Sequence, residues 1–119
     1  MILVDTSVWI DHLRASDNTL VQLLQRGQVL AHPFVIGEIS LGNLKQRTQV
    51  LTALKQLPQA IIAHNSEVTQ LVEQHNLFGL GIGYIDAHLL ASTLLSAHTK
   101  LWTRDKRLFN VAEKLNIHV

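Results

Sequence analysis

The first five residues, Met1-Ile2-Leu3-Val4-Asp5, are apolar at every position and end on an acid. A strand with one face in water alternates apolar and polar side chains. A run with no polar position predicts a strand buried on both faces, as inside a parallel sheet. Parallel strands need crossover connections, usually helices, and the rest of the chain supplies them. Thr6-Ser7 offers a helix start, with Val8, Trp9, Ile10 and Leu13 at helical spacing. Asp17 or Asn18 caps a second helix that Gly27 stops. Residues 28–31 predict a second strand. His32-Pro33 then opens a helix running to Gly42-Asn43, because proline suits the first helical position. Residues 47–57 predict a helix closed by Pro58, and residues 60–63 a third strand. Ser66 opens a helix ending at Gly79, with Thr69 where a full capping box has an acid or amide. The link Gly79–Gly83 leads to a helix over 84–98, a fourth strand over 100–103, a helix over 105–115 and a short fifth strand over 117–119. Strands alternating with helices give the α/β class. At 119 residues, with no repeat or linker, one domain over 1–119 is expected.

Composition removes several functional classes. The chain is 47% hydrophobic and 16% charged, the reverse of a disordered protein. No apolar run is long enough to span a bilayer, and the N-terminus lacks the basic region and cleavage site of a signal peptide. A soluble, cytoplasmic protein without membrane association is expected. The absence of cysteine excludes a disulfide framework, a thiolate zinc site and a cysteine nucleophile. Ten basic and nine acidic residues give a net charge of +1, so the position of the acids carries more information than their sum.

Five of the nine acids have ordinary places. Asp11, Glu67, Glu73 and Glu113 fall on polar helix faces, and Asp17 can cap a helix. Asp5 ends the first strand, where it suits either a ligand crevice at the carboxyl edge of the sheet or a helix N-cap. Glu38 is the only charged residue between His32 and Lys45, with Val35 and Leu41 three positions either side. A carboxylate on such an apolar face needs a partner, which a salt bridge or a metal can provide. Asp86 heads the apolar stripe of Leu90 and Leu94, and also suits a positive helix N-terminus. Asp105 follows the fourth strand and competes with Thr103 as a cap. Together the four can converge on one sheet edge. Like charges in a cleft must be relieved by protons or cations. All-oxygen ligands match Mg²⁺ or Mn²⁺, and such a cluster suits phosphodiester hydrolysis.

These residues resemble a known family. Asp5-Thr6-Ser7 after the first strand, HPFVIGEISLG around Glu38, IGYIDAHLLA around Asp86 and LWTRDKRL around Asp105 are similar to the PIN-domain ribonucleases, and among them to the VapC toxins of bacterial toxin–antitoxin pairs. The resemblance covers essentially the whole chain. It implies a five-stranded parallel sheet of order 3-2-1-4-5 with helices on both faces, and Mg²⁺- or Mn²⁺-dependent endonucleolytic cleavage of RNA. It implies that Asp5, Glu38 and Asp86 are the principal metal ligands and catalytic acids, with Asp105 as the fourth. Thr6 and Ser7 resemble residues that hydrogen-bond within the first acid's turn, and Thr103 the hydroxyl that orients the fourth acid. A homodimer and an antitoxin partner are also implied. Such partners would cover the apolar surface suggested by Trp9, Phe34 and the leucine-rich helices, which a small core would also explain.

Other features carry less. Seven scattered histidines show no HExxH spacing. His32 and His64 both follow strands, where capping or surface positions are the plainer account. GLGIG is not GxGxxG and follows a helix, so a tight turn delivering Asp86 fits better than a dinucleotide site. Arg104, Lys106 and Arg107, with Lys100 nearby, form the one dense basic patch, either a solvated face or a contact for RNA phosphates or antitoxin carboxylates. Two rivals remain. A phosphoacceptor receiver domain needs adjacent acids after the first strand and a lysine ending a late one, whereas Thr6-Ser7 follows Asp5 and Lys100 begins its strand. A PIN-like scaffold without catalysis would not need all four acids.

Overall fold

The computed structural model describes residues 1–119. Strand β1 (Ile2–Val4) lies between β2 (Val29–Leu30) and β3 (Lys100–Trp102), and both pairings are parallel. Leu3 stands opposite Leu30 on one side and Leu101 on the other. Leu3 and Val4 are fully buried, as an all-apolar central strand requires. Burying a leucine of this kind contributes about 1.5–3 kcal/mol.

The sheet has three strands where five were expected. Residues 60–63 and 117–119 flank it through single parallel bridges, Ala31 with Gln59 and Leu101 with His118. On the first side the Ala31 N–H bonds the Pro58 carbonyl and the Ala60 N–H the Ala31 carbonyl, and the ladder stops because the next donor would be Pro33, which has no N–H. On the other side the Leu101 N–H bonds the Ile117 carbonyl at 2.7 Å and the Val119 N–H the Leu101 carbonyl at 3.1 Å.

Seven helices surround the sheet: α1 (Thr6–Arg14), α2 (Asn18–Gln25), α3 (Pro33–Ser40), α4 (Arg47–Gln56), α5 (Asn65–His75), α6 (Tyr84–Leu95) and α7 (Lys106–Lys114). α1 packs on α3, α3 on α4, α5 on α6, and α6 against β3. Every residue from Ala87 to Thr93 of α6 is buried, the pattern of a helix enclosed on all sides. Two of the polar residues in that run bond locally or across the core, whereas both ring nitrogens of the buried His88 make no hydrogen bond. Thr93 donates to the Leu89 carbonyl at 2.7 Å, and Ser92 Oγ meets His32 Nε2 at 3.1 Å.

Several helix ends fall differently from the sequence expectation. α5 starts at His64 rather than Ser66, because Glu67 reaches back to accept the His64 N–H at 2.8 Å. It ends at Asn76 in the left-handed conformation, before Gly79. α6 ends at Leu95, short of residue 98. Each of the three strands runs directly toward the start of a helix. Asp5 is the N-cap position of α1, His32 of α3 and Asp105 of α7. Parallel strands place these three residues at one edge of the sheet.

Candidate active site

Asp5 is 5% exposed and its backbone occupies the N-cap position of α1, but its side chain makes no capping bond. Instead Oδ2 accepts hydrogen bonds from Ser7 Oγ and Thr103 Oγ1, both at 2.7 Å. The two hydroxyls are themselves tied to the loop after β3. Ser7 Oγ accepts from the Arg104 N–H at 3.0 Å, and Thr103 Oγ1 from the Asp105 N–H at 3.0 Å. A carboxylate held by two hydroxyl donors has one oxygen fixed and the other left for a ligand.

The other three acids follow the same division. Glu38, on α3, accepts from Thr6 Oγ1 at 2.7 Å through Oε1. It is half-buried at the edge of the helix, and Leu41 beyond it is 89% exposed, so the apolar face expected around Glu38 does not close over it. Asp86 Oδ2 accepts the Gly83 N–H at 3.1 Å, which ties the glycine turn to the start of α6. Asp105 does cap its helix: Oδ1 accepts the Leu108 N–H at 3.0 Å. Thus Asp5 Oδ1, Glu38 Oε2, Asp86 Oδ1 and Asp105 Oδ2 make no protein hydrogen bond, and none of the four carboxylates is paired with a cation.

Burial holds the Asp86 carboxyl above the usual carboxylate range. The charges of Asp5, Asp105 and Glu38 push it the same way, against the Gly83 N–H. The four acids therefore share one field of uncompensated negative charge. They do not close on one point, and no three of them stand ready to hold an ion between them. Repulsion without a counter-ion favours that spacing. The donor set itself is hard, anionic and all-oxygen, with one free oxygen on each acid, which fits Mg²⁺ or Mn²⁺.

Other expected residues lie elsewhere. Thr6 bonds Glu38 rather than the Asp5 turn. The Arg104 guanidinium reaches Asp11 at 2.7 Å and Asp17 at 2.5 Å, and lies over the Trp102 ring. Its charge is thus neutralised, while Lys106 and Arg107 are exposed and in no ion pair. His32 is fully buried. Its Nδ1 accepts the Phe34 N–H at 3.0 Å, so it caps α3, and burial lowers its pKa to about 4. His64 is exposed at the cap of α5.

The PIN-domain family model matches residues 2–114. The chain belongs to the PIN-domain family. Within that family it is similar to the ribonuclease VapC32 of Mycobacterium tuberculosis, strain CDC 1551 / Oshkosh, with 52% identity over 108 residues covering 91% of this chain and 87% of the relative. The same protein from strain ATCC 25618 / H37Rv gives the same figures. Membership sets the receiver-domain reading aside. In this PIN domain, no helix is long and apolar enough to cross a membrane.

Sequence reasoning missed two features of the PIN domain. One is the capture of Arg104 by Asp11 and Asp17, partners 93 and 87 residues away. The other is a cleft between the glycine turn and α7 lined by Leu80, Arg107, Asn110, Val111 and Lys114. The i, i+3, i+4, i+7 spacing of the last four was the available signal.

Proposed function

We propose that residues 1–119 act as one Mg²⁺- or Mn²⁺-dependent endoribonuclease domain, the toxin of a toxin–antitoxin pair, with Asp5, Glu38, Asp86 and Asp105 as metal ligands and catalytic acids. The observation that carries this reading is the set of four carboxylates with no cation partner, each with one oxygen fixed and one free, in a chain of the PIN family. The similarity to a protein named ribonuclease VapC32 supports RNA as the substrate.

When bound, the divalent ion supplies positive charge for the scissile phosphate and lowers the pKa of water. The chain's own groups prepare the site. Ser7 and Thr103 fix the rotamer of Asp5, Thr6 holds Glu38, and the Gly83 N–H holds Asp86. Asp105 combines the cap of α7 with a free oxygen facing the cluster's field. Water attacks phosphorus opposite the 3′ oxygen. The new O–P bond forms as the P–O3′ bond breaks, and the 3′ oxygen takes up a proton. The products carry a 5′-phosphate and a 3′-hydroxyl, and no side chain serves as nucleophile.

The protein is proposed to work in the cytoplasm, as a homodimer and under the control of an antitoxin. Exposed apolar side chains, among them Leu41, Ile62 and Phe78, supply surface for such partners. Replacing Asp5 with Asn tests the reading. Cleavage of RNA in Mg²⁺ or Mn²⁺ should be lost with the fold intact by circular dichroism. Metal-dependent cleavage retained by that variant would sink the assignment.

A further inference from the structure

We propose that the cleft between the glycine turn and α7 is a track for the RNA strand flanking the scissile phosphate, with Arg107, Asn110 and Lys114 as substrate-positioning residues. This rests on the ribonuclease reading and assigns the substrate a path.

The argument starts at Gly81. Its φ of +78° is left-handed, and a methyl group there would lie 2.9 Å from both Cδ and Nη1 of Arg107. Glycine is thus favoured by the left-handed turn, and the Arg107 side chain lies directly against it. The same turn ends at Gly83, whose N–H holds Asp86. Arg107 itself stands two residues after Asp105 on α7. It therefore spans from the helix begun by one acid to the loop that positions another.

The cleft beside it has a volume of about 220 Å³. Arg107, Asn110, Val111 and Lys114 share one face of α7, so the guanidinium and the ammonium are anchored roughly 10 Å apart along the helix. Val111 is buried beneath them, and Leu80 is 39% exposed on the opposite wall. No acid lines the cleft, and neither Arg107 nor Lys114 makes an ion pair. Two free cations in line, an amide between them and an apolar floor match a nucleic-acid strand. Phosphates meet the charges, the amide meets a sugar or base edge, and a base rests on Leu80. The cleft begins beside Asp105 and the Asp86 loop, so a strand leaving the acids enters it directly.

The test compares wild type with Arg107→Ala/Lys114→Ala and with the charge-keeping pair Arg107→Lys/Lys114→Arg. The probe is a labelled single-stranded oligoribonucleotide of mixed sequence, bound in EDTA over a salt series. Losing two phosphate contacts should lower the slope of log affinity against log salt by about 1.4 and weaken binding roughly tenfold at moderate salt. In Mg²⁺ or Mn²⁺ the loss should fall on KM rather than kcat, and the charge-keeping pair should restore most of both effects. Equal melting temperatures exclude misfolding as the cause. An unchanged slope and KM would overturn the track while leaving the ribonuclease reading intact. So would weaker binding of a polyglutamate peptide with RNA binding unaltered. A wild-type protein that neither binds nor cleaves RNA would overturn both.

Discussion

Thr103 donates its hydroxyl hydrogen to Oδ2 of Asp5 across 98 positions of sequence, at 2.7 Å. Thr103 Oγ1 in turn accepts the Asp105 N–H, so one side chain couples the ends of β1 and β3. Thr103→Val keeps the shape and removes both bonds. Cleavage should fall about 10–100-fold, the usual effect of losing a group that orients a metal ligand. Stability should fall by about 1 kcal/mol, because Asp5 Oδ2 keeps its Ser7 bond and the Asp105 N–H is only partly buried. Thr103→Ser should recover most of the activity. Kinetics and urea melts of the two variants check this, and a valine variant with wild-type rate would show the bond to be idle.

Asp86 should trade stability for activity. Burial and the neighbouring acids favour its protonated form. A carboxyl raised in the folded state helps the fold at low pH and loses that contribution as pH rises through the raised value. At neutral pH without metal, Asp86→Asn removes the repulsion, and the amide oxygen can still accept the Gly83 N–H. The variant should melt slightly higher than wild type, by ~1 kcal/mol at most given the partial solvent screening, and should not cleave RNA. A lower melting temperature in EDTA would count against the shared field of the four acids.

His32 should make the fold sensitive to mild acid. Its folded pKa is lowered to about 4, first by burial and then by the charge of His88. Between the ordinary value near 6.5 and 4, the unfolded chain takes up a proton that the folded chain refuses. Stability is therefore complete above pH 6.5 and declines as pH falls toward 4, by an amount on the order of a few kcal/mol. His32→Asn keeps a good capping oxygen for the Phe34 N–H and removes the titration. The gap between urea midpoints at neutral pH and near pH 5 should narrow in that variant, with the remainder owed to His88, whose pKa burial also lowers.

Gly81→Ala should destabilise the turn by about 1–2 kcal/mol, the cost of a side chain in the left-handed region, and should displace the Arg107 side chain that lies against it. Gly37 offers a control, since a methyl there meets nothing within 4 Å and its φ is ordinary. Gly37→Ala should hold or raise the melting temperature, being inside α3. Equal effects at the two glycines would contradict the close approach at the turn.

The sequence made some of these features legible and hid others for physical reasons. An apolar run such as Ile2–Val4 has few places to go, so the parallel α/β class and the position of Asp5 at a strand end followed from local pattern. The choice that Asp5 makes did not. A carboxylate at an N-cap can take a backbone N–H or a distant hydroxyl, and Thr103 decides that from the far end of the chain. Asp105, with the same local pattern, takes the backbone instead. Arg104 read as part of a free basic patch because its partners Asp11 and Asp17 lie almost a full chain length away. The outer segments reach the expected flanks but form only single bridges, because on one side the next donor of the ladder would be Pro33, which has no N–H.

The placement of β1 also bears on how the protein comes into being. It is synthesised well ahead of its partner Lys100–Trp102, since Ile2 pairs with Lys100. At roughly 5–20 residues per second, the central strand waits on the order of 5–20 s for its neighbour. Contacts so distant in sequence also close slowly. Asp5 gains the Thr103 bond only after that closure, so a nascent or C-terminally truncated chain holds the first acid without the group that aims it. Synthesis of the chain through Thr103 thus acts as the step that assembles the carboxylate site.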